Sequence, residues 1–384
     1  MIERELRMPE ITTLLQQLVA IDSVNPDLVA GGAGEREIAH FVANWLTQAG
    51  VEVTLDEVAP GRPNVIGIVR GTGGGRSLLL NAHMDTVGTT GMQRPHDPVV
   101  DGNRLYGRGA FDMKGGLAAI MVATAQARKL SLRGDIILAA VADEEYASIG
   151  TQAILKQYHA DAAIVTEPTA LRLCVAHKGF VWLEISTQGR AAHGSRPDLG
   201  SDAIVKMGHI LVALEHLDRS LRAAPSHPLL GSGSLHASLI EGGQELSSYP
   251  ERCVLQVERR TIPGESSEQV EAEIQALIEH LHSADPNIIA SVKTTVVRDP
   301  FEVAESTPIV QTVSRHATSL RGSAPEIFGD TMWMDSALLA AEGIPTVVFG
   351  PGGAGAHAVI EWTDLEQVQR CSDILLATIQ EFCA

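Results

Sequence analysis

The sequence predicts an α/β protein with a mainly parallel sheet, interrupted by an inserted α+β segment. Three observations favour this fold class. Helical and strand patterns alternate from residue 9 to about 175, which is typical of β-α-β units. The middle of the chain, about 179 to 301, shows longer strands of alternating polarity instead. A buried-strand pattern returns at Thr346 to Gly350, and a helix from about 364 to 382 closes the chain.

The first part of the chain contains two clear amphipathic helices followed by buried strands. Apolar residues recur at helical spacing from Leu14 to Val19 and again from Ile38 to Leu46, where Gly50 ends the second run as a C-cap. Further helices are predicted near 113–129 and 151–158. Short apolar runs predict strands at Val65–Val69, Leu78–Leu80, Ile136–Val141 and Ala162–Val165.

The middle segment has the element order β-α-β-β-α-β, which predicts a ferredoxin-like antiparallel sheet with helices on one face. Its strands are predicted at 180–187, 234–240, 252–262 and 288–297. One helix begins at the Ser201-Asp202 cap, and the other begins with a capping box formed by Ser266 and Gln269. We therefore expect one domain from residues 1–178 and 302–384 and an inserted domain from residues 179–301.

Length and charge exclude several classes of protein. A chain of 384 residues is long enough for two or three domains with real cores. The net charge of -18 would repel nucleic-acid phosphates and anionic lipid surfaces, so we expect neither nucleic-acid nor membrane binding. The hydrophobic fraction of 45% lies far from the range of disordered chains.

The cysteines and the N-terminus predict a cytoplasmic protein. The four cysteines lie far apart and form no CxxC pair, so the sequence indicates neither a disulfide framework nor a cysteine zinc site. The opening residues MIERELRMPE lack an apolar signal-peptide core, and the longest apolar runs are too short to span a membrane.

Potential metal ligands follow four of the predicted strands. His83 follows the Leu78 strand, Glu144 and Glu145 follow the Ile136 strand, Glu167 follows the Ala162 strand, and His357 follows the Thr346 strand through a glycine-rich loop. Ligands bind at the carboxyl ends of strands in an open parallel sheet. We therefore expect these side chains to converge on one crevice.

Imidazole and carboxylate donors without thiolates suit zinc, cobalt or manganese, and spare carboxylates suit a two-metal hydrolytic site. Asp85 lies two residues after His83, where its carboxylate could accept the free imidazole N–H. Asp112 opens a helix in a glycine-rich segment, and it could either cap this helix or bridge two cations. The loop before His357 lacks the Lys-Ser/Thr of a phosphate loop, so we interpret it as the means of delivering that histidine.

These motifs resemble the metallopeptidase family of acetylornithine deacetylase, succinyl-diaminopimelate desuccinylase, aminoacylase and glutamate carboxypeptidase. They appear in the family's order and cover essentially the whole chain, including the insertion. The matching motifs are His83-Met84-Asp85-Thr86, Gly107-Arg108-Gly109 through Asp112-Met113-Lys114-Gly115, Asp143-Glu144-Glu145, Thr166-Glu167-Pro168 and the loop from Gly350-Pro351-Gly352 to His357.

The resemblance implies a two-metal hydrolase. Its five metal ligands would be His83, Asp112, Glu145, Glu167 and His357. Asp112 would bridge both ions, with His83 and Glu167 on one ion and Glu145 and His357 on the other. Glu144 would be the catalytic base. The resemblance also implies two divalent ions, with zinc expected first and cobalt or manganese as alternatives.

Further roles are implied for the inserted segment as a lid and dimerisation domain. His193 resembles the family's lid histidine, which supplies a donor to the developing oxyanion and reaches across from the partner in dimers. Arg260 matches the family's arginine for a substrate carboxylate, and a guanidinium suits bidentate recognition. The chain departs from the family pattern at Ser247 and Ser248, where related deacylases often carry asparagine.

The predicted function is metal-dependent hydrolysis of a small N-acyl amino acid or a similar carboxylate-bearing amide. The alternative within this chemistry is a metallo-exopeptidase, either a carboxypeptidase or a dipeptidase. A third hypothesis is a non-catalytic metal-binding module, but the presence of Glu144 speaks against it, because a binder needs no base beside its ligands. Aromatic residues make up only 4% of the chain, which favours a small aliphatic substrate.

Overall fold

The computed structural model describes residues 8–384, which form two compact units. The first unit contains the chain up to Val175 together with Val303–Phe328 and Met334–Ala384, and the second contains Ala176–Glu302 and Gly329–Trp333. The prediction that the N-terminus lacks a signal-peptide core falls partly on residues 1–7, which lie outside the described residues. Among the described helices, none combines the length and apolar character that a bilayer crossing requires.

The helices alternate with strands along most of the chain. They are α1 (Met8–Ala20), α2 (Arg36–Gln48), α3 (Gly115–Ala127), α4 (Ile149–Leu155), α5 (Ala203–Ala223), α6 (Ser267–Ala284), α7 (Pro308–Arg321), α8 (Ser336–Ala341) and α9 (Leu365–Phe382).

The strands form three sheets. In chain order they are β1 (Glu52–Ala59), β2 (Arg62–Val69), β3 (Leu78–His83), β4 (Val99–Asp101), β5 (Arg104–Tyr106), β6 (Ile136–Val141), β7 (Ala162–Val165), β8 (Leu173–His177), β9 (Gly179–Gln188), β10 (Ser234–Gly242), β11 (Arg252–Thr261), β12 (Ile289–Arg298), β13 (Phe301–Glu302), β14 (Ile327–Asp330), β15 (Thr346–Val348), β16 (Gly353–Ala354) and β17 (Trp362–Asp364).

The large sheet of the first unit has a parallel centre. Its strand order is β1-β2-β6-β3-β7-β15-β8, and the neighbours from β6 to β15 run parallel. The β1-β2, β2-β6 and β15-β8 pairs are antiparallel. The prediction of a mainly parallel central sheet is confirmed, and its carboxyl edge collects the ends of four adjacent strands.

The core of the first unit explains why the central strands read as continuous apolar runs. All residues of β3, β6 and β7 are buried, because helices cover the sheet. Helix α3 is buried almost all round and packs against α1, α9 and the strands β3 and β6. All four cysteines are buried, and none forms a disulfide in the described chain.

The second unit is an antiparallel sheet in the order β10-β11-β9-β12 with α5 and α6 packed against it. Apolar residues of β9 and β11 alternate with polar ones and face the two helices, which gives the alternation seen in the sequence. Both predicted caps form: Asp202 accepts from the Ile204 and Val205 amides, and Ser266 and Gln269 complete a capping box.

Several elements lie where the sequence predicted none, notably β1, β8, α7 and α8. Strand β1 pairs on one side only and none of its residues is fully buried, so its apolar residues are mixed with acids and give no buried-strand run. Helix α7 is amphipathic and has proline at its first turn, a signal that the sequence did contain.

Candidate active site

Side chains from four adjacent strand ends meet at the carboxyl edge of the large sheet. His83 is the last residue of β3, and Glu144 and Glu145 begin the turn that follows β6 after two intervening residues. Glu167 follows β7, and the loop after β15 carries His357. Because β6, β3, β7 and β15 are parallel neighbours, their carboxyl ends lie side by side.

Asp112 lies between the two histidines. Its Oδ1 is 3.2 Å from His83 Nε2, and its Oδ2 is 3.4 Å from His357 Nε2. The carboxylate thus presents one oxygen to each imidazole, which is the arrangement a bridging ligand requires. Of the two roles left open by the sequence, bridging is therefore the one that this geometry suits, and Asp112 makes no cap hydrogen bond to the following helix.

Each histidine also approaches a glutamate. Glu167 Oε1 is 3.6 Å from His83 Nε2, whereas Glu145 Oε2 is 3.1 Å from His357 Nε2. Potential ligand atoms of His83, Glu144 and Glu167 lie within 4.8 Å of one another, as do those of His83, Asp112 and Glu145. These two donor sets share His83, and Asp112 lies between His83 and His357.

The hydrogen bond of His83 differs from the sequence prediction. Its Nδ1 lies 2.9 Å from the main-chain carbonyl of Asp85, whereas the Asp85 carboxylate is 3.6 Å away. A carbonyl can only accept, so Nδ1 carries a proton, and Nε2, which faces the carboxylates, is the nitrogen that a metal could bind in place of a proton.

The carboxylate of Asp85 supports the next strand end instead. It accepts hydrogen bonds from the main-chain amides of Glu144 (3.1 Å) and Glu145 (3.2 Å) and from the Asn25 side chain (2.7 Å). Asn25 also donates to Asp143 Oδ1 at 2.9 Å. Asp85 therefore holds the Glu144–Glu145 segment in place through the backbone.

A buried arginine completes this network, and sequence reasoning missed it. Arg62 in β2 donates to both oxygens of Glu35 and, at 3.0 Å, to Asp143 Oδ1. Glu35 is fully buried and also accepts from the Asp143 amide. The only sequence signal was an arginine opening a buried strand, and nothing local indicates its partners.

Burial and mutual repulsion raise the pKa values of the acids in the crevice. The pKa values of Glu144 and Glu167 lie well above 4.5, first because of burial and then because of the charges on neighbouring carboxylates. The pKa of Glu145 is raised for the same reasons, and its Oε1 has no hydrogen-bond partner among the described residues. Buried, unpaired carboxylate oxygens are a donor set that suits divalent cations.

The pKa values of both histidines are raised as well, whereas that of Asp112 is lowered. Burial opposes a charge on His83, but the surrounding carboxylates, Glu167 first, outweigh it and raise its pKa well above 6.5. Hydrogen bonds to Asp112 and Glu145 raise the pKa of His357 to about 10. Burial acts to raise the pKa of Asp112, yet hydrogen bonds from His357 and His83 lower it.

Two further acids adjoin the crevice, and sequence reasoning singled out neither. Asp335 is buried, accepts a hydrogen bond of 2.5 Å from Thr151 Oγ1, and has a pKa raised to about 6, mainly by burial. Glu361 is buried against the backbone that carries Asp112. A local signal for Glu361 was its position four residues after His357 in the same loop.

The other two predicted functional residues belong to the second unit. The side chain of His193 is exposed, and its Nδ1 accepts from the Ser195 amide at 3.2 Å, which leaves Nε2 protonated as a donor. Arg260 lies on β11, where its Nε donates to Glu258 at 2.7 Å and its guanidinium lies 5.2 Å from the ring centre of Phe180. Ser248 donates to Glu245 at 2.7 Å.

Comparison with known sequences identifies the protein family that the chain matches. The sequence model of peptidase family M20/M25/M40 matches residues 79–381. The chain is 30% identical to acetylornithine deacetylase of Myxococcus xanthus, over 98% of each chain. It is 29% identical to N-formyl-4-amino-5-aminomethyl-2-methylpyrimidine deformylase of Bacillus subtilis, over 90% of this chain and 89% of that one.

Solved structures show the same fold. Aminopeptidase PepT from Bacillus cereus superposes with a TM-score of 0.80 at 20% identity, over 98% of this chain and 99% of that one. The YXEP protein of Bacillus subtilis, described as a dinuclear metal binding peptidase, gives a TM-score of 0.76 at 17% identity, over 98% and 99%.

Proposed function

The chain belongs to peptidase family M20/M25/M40 and is a metal-dependent amidohydrolase, and we propose that it hydrolyses the amide bond of a small N-acyl amino acid. The observation that carries the proposal is the position of Asp112, whose two oxygens face His83 and His357, with Glu144 beside them. Two full-length relatives are named for removing a formyl or an acetyl group, which supports an acyl group as the part released.

Glu144 is the proposed base. Two bound divalent cations would supply Lewis-acid chemistry, polarising the amide carbonyl and lowering the pKa of the attacking water. Glu144 takes the proton from that water as its oxygen forms the new bond to the carbonyl carbon. It then gives the proton to the departing nitrogen as the C–N bond breaks, so the products are a carboxylate and an amine.

His83, Asp112 and Glu167 would hold one cation, and Asp112, Glu145 and His357 would hold the second. Two imidazoles and three carboxylates, without a thiolate, suit zinc and also accommodate cobalt or manganese. We propose zinc as the native metal.

Two residues of the second unit are proposed to interact with the substrate. Arg260 would bind the substrate carboxylate, since a guanidinium can donate two parallel hydrogen bonds to it. His193 would donate from Nε2 to the developing oxyanion, a contribution of roughly 3 kcal/mol when such a donor is preorganised. Residues 1–178 and 302–384 would then be the catalytic domain, and residues 179–301 the lid.

We also propose a cytoplasmic homodimer. Strand β10 lies at the edge of its sheet, and its exposed Leu239 and Ile240 would be covered by a second copy. Four buried cysteines without a disulfide fit a reducing compartment.

The test is release of free amine from a panel of N-formyl, N-acetyl and N-succinyl amino acids and simple dipeptides. Metal-free enzyme is assayed after addition of zinc, cobalt or manganese. We expect metal-dependent turnover of one N-acyl class. Turnover of dipeptides alone would favour the exopeptidase alternative instead.

Glu144→Gln separates catalysis from metal binding in the same assay. The amide cannot accept the proton, so we expect kcat to fall about 10²- to 10⁴-fold while two metal ions remain bound per chain. Glu342→Gln, at an exposed position in the first unit, is the matched control and should leave kcat unchanged. Full activity of Glu144→Gln with both metals bound would overturn the proposed mechanism. Inactivity of the unaltered enzyme on every amide, with both metals bound, would favour the non-catalytic module.

A further inference from the structure

The carboxylate of Glu361 is almost fully buried and accepts four hydrogen bonds from one stretch of chain. Its Oε1 accepts from the amides of Phe111 (2.9 Å) and Asp112 (3.1 Å). Its Oε2 accepts from the Gly109 amide (3.1 Å) and from Arg108 Nη1 (2.6 Å). The Glu361 carboxylate therefore fixes the backbone of Asp112, the residue whose two carboxylate oxygens face His83 and His357.

The same contacts tie this stretch to the loop that carries His357. Glu361 accepts from the Gly107 amide through its main-chain carbonyl (3.2 Å), and Arg108 Nη2 donates to the carbonyl of Ala358 (3.1 Å). Ala358 follows His357 directly. Glu361 thus joins two segments about 250 residues apart in the chain, each of which supplies a proposed ligand.

This arrangement has a consequence for metal binding. Asp112 Oδ2 and His357 Nε2 lie 3.4 Å apart. A cation could bind to both atoms only if both side chains kept these positions. Charge-assisted hydrogen bonds to a buried carboxylate are short and strong, so they limit movement of the Asp112 backbone. Among the described residues, Glu361 is the carboxylate that accepts from the Asp112 amide.

We propose that Glu361 is a positioning residue of the two-metal site, which holds Asp112 and His357 in register so that both cations bind. The inference rests on the proposed function and its metal ligands. It adds a residue that would not bind metal itself but would position two of the ligands. If Glu361 only stabilised the fold, its replacement would lower the melting temperature without a selective effect on metal affinity.

The experiment is a zinc titration of metal-free, full-length protein against a chromophoric chelator, with Glu361→Gln and Glu361→Ala. Loss of such outer-shell partners typically weakens metal binding 10- to 100-fold. We expect Glu361→Ala at the upper end of that range. Glu361→Gln should lie between it and the unaltered protein, because its single amide oxygen can satisfy one pair of donors but its NH₂ would face the other.

Ile374→Val is the matched stability control. It removes one buried methylene from α9 and should lower the melting temperature while leaving zinc affinity unchanged. If Glu361→Ala does not fold, Glu361→Gln decides. Variants that fold and bind two zinc ions with unaltered affinity would overturn the inference, as would an equal loss of affinity in Ile374→Val. Failure of the unaltered protein to bind two zinc ions would instead contradict the proposed metal centre itself.

Discussion

At the scale of single residues, the surroundings decide what each carboxylate in the crevice can do. Glu144 and Glu145 are neighbours in sequence, yet Glu145 approaches His357 at 3.1 Å, whereas Glu144 approaches His83 at 4.0 Å. The two side chains thus face different histidines, which would let Glu145 serve as the proposed ligand and Glu144 as the proposed base. The Asp85 carboxylate fixes both through their main-chain amides.

Asp335 should make the stability of the metal-free protein depend on pH. Burial raises its pKa from 3.8 to about 6, so the folded, metal-free protein keeps this proton to a higher pH than the unfolded chain does. Below about pH 4 both states are protonated and the residue costs nothing. Between pH 4 and 6 the unfolded chain loses the proton first, and folding becomes less favourable. A rise of this size in the pKa corresponds to a loss on the order of 3 kcal/mol in the free energy of unfolding above pH 6.

Asp335→Asn removes this loss while keeping an oxygen for the Thr151 hydroxyl. We expect the metal-free variant to be more stable than the unaltered protein above pH 6 and equally stable near pH 4. Urea unfolding in the presence of a chelator at pH 4, 6 and 7.5 measures the difference. A variant that is less stable at all three values would show that the hydrogen bond to Thr151 outweighs the charge.

Sequence reasoning identified the proposed ligands and Asp85, but not Arg62, Asp335 or Glu361. His83, Glu167 and the Glu144–Glu145 pair follow buried strands directly, so strand patterns were enough to bring them to one edge of the sheet. Asp335 and Glu361 follow no such strand, and their partners lie about 180 to 250 residues away in the chain. Only the folded chain reveals contacts of that range.

At the scale of the elements, helix α3 is packed too closely against a strand end for an ordinary side chain. A Cβ added at Gly116 would lie 2.1 Å from the main-chain oxygen of Thr166, the residue before Glu167. Contact this close can be relieved only by moving the helix or the strand end. The glycine therefore helps to set the position of a proposed metal ligand.

Gly116→Ala should destabilise the protein by roughly 1–3 kcal/mol and weaken zinc binding, because Glu167 moves with the strand end. Gly208→Ala is the matched control, since a Cβ there meets no atom within 4 Å in helix α5. That change should stabilise by roughly 0.4–1 kcal/mol, because alanine restricts the unfolded chain. Chemical unfolding and zinc titration measure both variants. Equal behaviour of the two alanines would refute the close-packing argument.

Buried elements could be predicted from sequence more readily than exposed ones. The runs at Ile136–Val141 and Ala162–Val165 coincide with β6 and β7, because continuous apolar residues are typical of parallel strands covered on both faces. Strand β3 extends beyond the predicted Leu80 to His83, since the buried Asn81 side chain donates to Thr151 and needs no water.

At the scale of the whole molecule, the first unit brings the proposed metal ligands together, and the second unit carries His193 and Arg260. The ligands of the first unit come from segments that span residues 83–357. The roles of His193 and Arg260 could be proposed only from family resemblance, because neither strand position nor local spacing assigns them. For Asp112 the local sequence left capping and bridging open, and the resemblance favoured bridging.

Metal dependence is the property that this arrangement predicts most directly. Buried acids raise one another's pKa values, and divalent cations would neutralise this repulsion. Removal of metal should therefore both abolish hydrolysis and lower the melting temperature.

The decisive measurement is a zinc titration of chelator-treated enzyme in which bound metal per chain and amine release from the best N-acyl substrate are recorded together. We predict that activity is absent without metal and reaches its plateau when two zinc ions are bound per chain. Hydrolysis that persists after complete removal of metal would show that the enzyme does not use the proposed metal centre for catalysis.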